Sequence, residues 1–219
     1  MAYLHFAAII LLSYLAGSFP TSIIVGRVFF HKDIRKFGSG NAGGTNTVRV
    51  FGWGAGAAVI IVDIAKGALP VLVFSRLPLF GGLESALLPP DIMAVCAGSA
   101  AVIGHVWTVF ASFRGGKGVA TAAGMIMSLY PLGFALTLVV FVLTIAVTGI
   151  VSVGSLAAAL VFPVILFTLN GIGAADISAP LLWFSIPIAV LIIFTHRKNI
   201  LRLFRGEEKR MFGNKKPGK

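Results

Sequence analysis

Charge is what this 219-residue chain has least of. It carries seven acidic and 18 basic side chains against 58% hydrophobic residues, with a mean hydropathy of +0.98. That leaves too little polar surface to cover a soluble globule, and the chain reads as a polytopic membrane protein. Cysteine is nearly absent: the single Cys96 sits in an apolar run, which excludes a disulfide framework and a Cys-based metal site. A nucleotide-binding P-loop is missing too, because Lys117 is followed by Gly118 and the first glycine of a GxxxxGK[ST] pattern is replaced by Ala111. No Ser-His-Asp set, internal repeat or second domain is evident, and the only biased tract is a basic tail over 197–219. The apolar start has no Lys or Arg before Arg27 and is long enough to span, so it reads as a retained first helix and not a cleaved signal.

A net charge of +11 would suit nucleic acid, but the positions of the charges give a simpler account. Five basic residues fall in Arg27–Arg49, two in Arg114–Lys117 and nine in Arg197–Lys219. The segments near 76–91 and 170–180 hold only Arg76, Glu84, Asp91 and Asp176. The positive-inside rule puts the three basic clusters on the cytoplasmic side and the amino terminus outside. Single crossings are expected near 3–28, 54–74 and 92–110, with a last one near 180–195. Between them, Val119–Leu169 is a 51-residue run without charge. If Arg114 is inside and Asp176 outside, that run crosses an odd number of times, and three fits its length. Breaks are expected at Tyr130-Pro131-Leu132-Gly133 and over Thr148–Gly154. The first piece, Val119–Leu129, covers only about 17 Å at ~1.5 Å per residue. It completes a crossing only if the loop before it dips below the membrane surface, where non-helical backbone must line a polar cavity or be buried in protein. The expected fold is all-α, with seven transmembrane helices in one domain over 1–219 and cytoplasmic-facing active-site loops.

Four polar elements then share the inner face. Gly38–Arg49 reads GSGNAGGTNTVR: its small residues leave backbone N–H groups free for an anion, Ser39, Asn41, Thr45 and Asn46 add short polar side chains, and Arg49 adds a permanent charge. Phe113-Arg114-Gly115-Gly116-Lys117-Gly118 opens a helix, so its amides and the helix's positive end suit a second anion, with Lys117 as a point charge; a plain turn is the alternative for this element alone. Ser152 and Ser155 lie at an inner-side break, as ligands or as residues bonded back to helical carbonyls. His196 and Asn199, one turn apart, share a helix face near Glu207 and Glu208. The surrounding bases also serve as anchors to anionic lipid. Elsewhere, Asp63 and Lys66 are costly in lipid unless paired or facing polar protein, His105 near an inner helix end suits packing as well as chemistry, and His5 and His31 read as surface or interface residues.

At these residues the chain resembles the acyl-phosphate-dependent glycerol-3-phosphate acyltransferases of the bacterial inner membrane. The resemblance covers nearly the whole chain and rests on GSGNAGGTNTVR, GHVWTVFASFRGGKGVAT, and VSVGSLAAA followed by HRKNILRLFRGEE. It implies that Ser39 and Arg49 are essential in the first motif, where Gly38, Gly40, Asn41, Thr45 and Asn46 read from the residues as the phosphate cradle. It further implies that Gly115, Gly116, Lys117 and Gly118 help hold glycerol 3-phosphate, and that Ser155, His196, Asn199 and Glu208 complete the site, beside Ser152 at the inner-side break; Ser39, His196, Asn199 and Glu208 are the catalytic candidates. Gly44 stands where many members have Ala, which should loosen the first loop, and Trp107-Thr108 replace a usual Phe-Pro.

The implied reaction moves a fatty acyl group from acyl phosphate to the 1-hydroxyl of glycerol 3-phosphate, giving lysophosphatidic acid and phosphate, with no cofactor or metal. The partners expected are these two substrates and membrane lipid, not nucleic acid; the oligomeric state is open and a monomer suffices. Two phosphates account for two anion sites, and one alkyl chain accounts for a site between helices. Acyl phosphate has a good leaving group, so positioning and charge stabilisation supply much of the rate. The hydroxyl proton goes either to His196 or, as favoured here, to the donor's own phosphate, with His196 and Asn199 orienting the acceptor. An anion transporter is the alternative, but it should hold its site near the midplane and often shows inverted repeats. Another membrane enzyme of phospholipid synthesis is a third reading; no D-x-x-D-G motif of alcohol phosphatidyltransferases and no H-x-x-x-x-D motif of the CoA-using acyltransferases is present.

The topology is directly testable. In a Cys96→Ala background, single cysteines at Ser39, Ser112 and Gly213 should react with an impermeant thiol reagent only once the cytoplasmic side is opened. Labelling of Ser112 and Gly213 from opposite sides would sink the seven-helix reading.

Overall fold

The computed structural model describes residues 1–80 and 87–211, and every regular element among them is helical. Glu84, used above to mark the outer face, and Gly213 with the tail lysines Lys215, Lys216 and Lys219 lie outside the described residues.

The first apolar stretch, Ala2–Phe30, is one candidate span, as expected near 3–28, but it is built of two helices, α1 (Ala2–Ser18) and α2 (Thr21–Phe30). Pro20 has no N–H to continue the helix and disfavours helical backbone at Phe19, so the chain must restart. The carbonyls released by the break are satisfied from other helices: Lys66 Nζ donates to Phe19 O at 2.9 Å and Thr108 Oγ1 donates to Ser18 O. A short 3₁₀ turn, Ile34–Lys36, and the amphipathic helix α3 (Gly44–Phe51) lead into α4 (Trp53–Leu72). Then come α5 (Pro90–Val106) and the loop toward α6.

The uncharged run is three helices, as its breaks imply: α6 (Val119–Leu129), α7 (Pro131–Thr148) and α8 (Val151–Gly171). Pro131 opens α7, and Gly149 closes it at φ 70°, the left-handed backbone that suits glycine after a helix. The last apolar helix, α9 (Ala179–Thr195), bends by 58° at His196 into α10 (Arg197–Phe204). By length and composition five of these stretches can cross a membrane, or six with the bent α9–α10 pair taken as one span. At 11 residues, α6 is too short to cross alone.

In lipid there is no hydrophobic drive between helices, so close packing at small residues has to supply cohesion. Gly17 of α1 lies against the Ala101 backbone of α5, and Gly104 of α5 lies against the Tyr14 and Ser18 backbone of α1. Gly67 of α4 meets the Thr121 carbonyl of α6, while Gly124 of α6 meets the Ile64 carbonyl of α4. A Cβ at any of the four would overlap those atoms. Val71, Val95, Val102, Ala122, Met125, Ile188 and Ile192 form the core where α4, α5, α6 and α9 meet. The amphipathic α3 packs on the start of α4, with Val48 seated on Gly56. Gly44, expected from its departure to loosen the first loop, has Ile60 in the space a Cβ would take.

The α4–α6 contact predicts an outcome. Gly124→Ala puts a methyl into the Ile64 carbonyl and should destabilise the detergent-solubilised protein by the ~1–3 kcal/mol typical of overpacking. Gly171→Ala, which faces open space, should leave the melting temperature unchanged. Equal melting temperatures for the two variants would show that the helices do not meet at Gly124.

Candidate active site

All four polar elements line one cavity of about 490 Å³. The first loop is built around Asn46, which is 1% exposed. Its Oδ1 accepts the Ser39 N–H at 2.8 Å, and its Nδ2 group donates to Phe37 O and Asn41 O, both at 3.0 Å, and to Ile34 O at 3.3 Å. Gly38 and Gly40 have φ of 64° and 74°, and a Cβ at Gly38 would overlap Asn46 Oδ1. The expected ligand Asn46 is therefore spent on shaping the loop. Gly38, Ser39, Asn41, Thr45 and Arg49 also line the cavity, whereas Gly40 does not. Arg49 is exposed, and no hydrogen bond or ion pair engages it among the described residues.

An ion cluster behind this loop ties it to the second. Asp33 accepts from Arg35 Nη2 at 2.7 Å, Arg35 Nε at 3.0 Å and Arg27 Nη2 at 3.0 Å. The Arg35 guanidinium, above all, holds the Asp33 carboxyl far below the usual carboxylate range. Arg35 Nη1 reaches Ala111 O at 3.2 Å, fastening the Gly38–Arg49 region to the segment before Gly115.

The second loop departs from its expected chemistry. Gly115 and Gly116 donate their N–H groups to Val106 O and His105 O, both at 3.1 Å, and neither lines the large cavity. Those amides are strapped to the end of α5 and are not available to an anion. A Cβ at Gly115 would overlap His105 O and one at Gly116 the His105 ring, so both glycines serve a close approach. Lys117 and Gly118 do line the cavity, together with Val119 and Ala120 at the start of α6. Gly118 has φ of 85°. The Lys117 carbonyl accepts from Thr195 Oγ1 at 3.0 Å.

At the cavity's third wall, Glu208 gathers the carboxyl-terminal segment. Its Oε1 accepts from Asn199 Nδ2 at 2.5 Å and Ser152 Oγ at 2.8 Å, and its Oε2 from Arg202 Nε at 2.6 Å. Asn199 Oδ1 in turn accepts from Lys117 Nζ at 2.5 Å. Burial would raise the Glu208 carboxyl, but the bonds from Arg202, Asn199 and Ser152 together hold it below its ordinary value. Both oxygens are engaged, so Glu208, expected among the catalytic groups, acts in this arrangement as a clamp. Ser155 Oγ bonds back to Val151 O at 3.0 Å. His196, 2% exposed, puts Nδ1 at 2.8 Å from Ile192 O. A carbonyl accepts only, so Nδ1 carries the hydrogen and Nε2 keeps its lone pair.

Three helices, α3, α6 and α8, begin at this cavity, where the first amides of a helix lack intrahelical acceptors and its positive end stabilises anions. Four cations, Arg49, Lys117, Arg202 and Lys209, face two carboxylates, Asp63 and Glu208. Away from this end the lining turns apolar, through Ile126 of α6, Phe134, Leu138 and Phe141 of α7 and Phe162 of α8. The cavity thus joins a cationic, polar end to an apolar extension. Sequence reasoning passed over Arg202, Lys209, Asp63 and His105 as lining residues. Arg202 had a signal, since it follows Asn199 by three on a helix and therefore shares its face.

Comparison with known proteins follows the same lines. The family model described as glycerol-3-phosphate acyltransferase matches residues 7–206. A curated glycerol-3-phosphate acyltransferase of Chlorobaculum parvum is 47% identical, with 97% of this chain and 99% of that one covered. Its counterpart in Chlorobaculum tepidum is 46% identical at the same coverage. A crystal structure of PlsY (YgiH), an integral membrane glycerol 3-phosphate acyltransferase, in its glycerol 3-phosphate form, matches with a TM-score of 0.80 at 30% identity. It covers 95% of this chain and 96% of that one. The lysophosphatidic acid form of the same enzyme matches with a TM-score of 0.76.

Proposed function

The chain belongs to the glycerol-3-phosphate acyltransferase family, and from that premise we propose that its cavity takes acyl phosphate as the donor and glycerol 3-phosphate as the acceptor. The protein is a membrane acyltransferase of phospholipid synthesis. The observation that carries the donor assignment is the form of the cavity: a cationic end at which three helices start, continuous with an apolar extension between α6, α7 and α8.

Arg49, Ser39 and the opening of α3 hold the phosphate of the donor, whose alkyl chain runs toward Phe134 and Phe162. Lys117 and the opening of α6 hold the phosphate of the acceptor. The 1-hydroxyl oxygen attacks the acyl carbon, the bond from that carbon to the phosphate oxygen breaks, and inorganic phosphate leaves as lysophosphatidic acid forms. The hydroxyl proton passes to the departing phosphate. His196 Nε2 and Asn199 orient the glycerol, since Asn199 is itself fixed between Lys117 and Glu208. Orientation and charge stabilisation suffice because phosphate is already a good leaving group.

The membrane arrangement that agrees with this site has seven crossings in one domain. The loop over 112–118 completes the short span of α6, and its residues Lys117 and Gly118 line a polar cavity as backbone at that depth requires. The amino terminus is outside and the carboxyl terminus and site are cytoplasmic, in the plasma membrane of a bacterium. A monomer carries every residue the reaction uses.

Purified protein in detergent, given acyl phosphate and labelled glycerol 3-phosphate, should form lysophosphatidic acid, and acyl-CoA of equal chain length should be rejected. Arg49→Lys keeps the charge but loses the planar fork and should lose most activity. Lys117→Ala removes a charge-assisted contact worth roughly 1.5–3 kcal/mol, so the KM for glycerol 3-phosphate should rise about ten- to a hundredfold. Efficient turnover of acyl-CoA would overturn the donor assignment, and wild-type kinetics in both folded variants would overturn the two phosphate sites.

A further inference from the structure

Beneath the Gly115–Gly118 loop lies a buried polar cluster that the reaction above does not use. Asp63 of α4 is 2% exposed, and its Oδ1 accepts from Lys66 Nζ at 2.8 Å and Thr21 Oγ1 at 3.1 Å. Lys66 is accounted for, since it neutralises Asp63 and caps Phe19 O at the α1–α2 break. His105 of α5 is not. It is buried, its Nδ1 lies 3.8 Å from Asp63 Oδ1, and that nitrogen has no hydrogen-bond partner among the described residues.

The opposite edge of the ring explains its placement. His105 Nε2 occupies the space a Cβ on Gly116 would take, and the same Cβ would lie 2.8 Å from Ala42 O. The imidazole, Gly116 and Ala42 therefore meet at one point, where the Gly38–Arg49 loop touches the loop that carries Lys117. Backbone bonds from Gly115 and Gly116 to Val106 O and His105 O fix the loop's height on α5, and the imidazole fixes its lateral seat. The Asp63 carboxylate, 3.8 Å from Nδ1, attracts an N–H on the ring edge that faces it.

We propose that His105, oriented by Asp63, is a positioning residue for glycerol 3-phosphate, the wedge that seats Gly116 and so places the neighbouring Lys117 ammonium against the acceptor's phosphate. This rests on the reading that the Lys117 loop holds the acceptor.

The test is a kinetic split combined with a double-mutant cycle on the full-length enzyme in detergent. His105→Ala should raise the KM for glycerol 3-phosphate about ten- to a hundredfold, the range of a small misplacement, while the KM for acyl phosphate stays unchanged. His105→Gln, which returns an amide toward the Nε2 position, should recover part of that loss. Gly116→Ala should cost less in the His105→Ala background than in the natural enzyme, because the atom it collides with is gone. Equal effects on both substrates, no recovery by Gln, or strict additivity with Gly116→Ala would each overturn the inference. If His105→Ala does not fold, His105→Ser, which also vacates the Nε2 position, supplies the same comparison with Gly116→Ala. Lys117→Ala separates the two layers: if it raises the acceptor KM while the His105 variants do not, the positioning role fails and the loop assignment stands; if it changes nothing, both fall.

Discussion

The structure depends on one constraint, that backbone within a bilayer must be hydrogen-bonded by protein or face a polar cavity. An 11-residue α6 is too short to cross alone, and the chain before it has its backbone bonded by neighbouring elements and not by a helix of its own. The end of α5 accepts the Gly115 and Gly116 amides, and Thr195 donates to the Lys117 carbonyl. The same constraint operates at Pro20, where Lys66 and Thr108 satisfy the carbonyls that the broken helix releases. One charged residue on α4 and a hydroxyl after α5 thus find a structural reason before any chemical one.

With the loop held in this way, the cavity follows from what surrounds it. Helix α6 is held against α4 through Gly67 and Gly124, where no side chain separates the backbones. Its opening therefore sits beside α3, whose loop is organised by Asn46, and beside α8, reached through the Glu208 clamp. Bringing several helix openings and four cations together is unfavourable in the empty protein and becomes favourable when phosphate groups enter. The two carboxylates temper that repulsion at its edges: Glu208 between Arg202 and Asn199, and Asp63 beside Lys66.

Much of this was legible in the residues. The breaks at Pro131 and Gly149 were readable because proline and glycine act locally, and the gathering of the basic clusters was readable because charge is avoided in lipid. Ser39, Arg49, Lys117, His196 and Asn199 all reach the cavity they were assigned to. What could not be read was which polar atoms had already been used. Gly115, Gly116, Asn46 and Glu208 look like ligands by type, yet the hydrogen bonds of the first three shape loops and those of Glu208 join Ser152 of α8 to Asn199 and Arg202 of α10. His105 stood out in the sequence only as a residue suited to packing or chemistry, because its neighbours Asp63 and Gly116 come from distant segments.

The sequence by itself determined that the chain is helical, lives in a membrane and carries its glycine-rich and basic motifs in a few clusters between apolar runs. Those properties follow from composition and from local patterns, and they do not need the packing to be known. The tertiary structure alone decided which donors and acceptors remain available to a substrate, because each buried polar group has a limited number of bonds and the fold assigns them. Four helices packed at glycine contacts set those assignments, and a backbone approach of that kind is a property of two chain segments together, written in neither one.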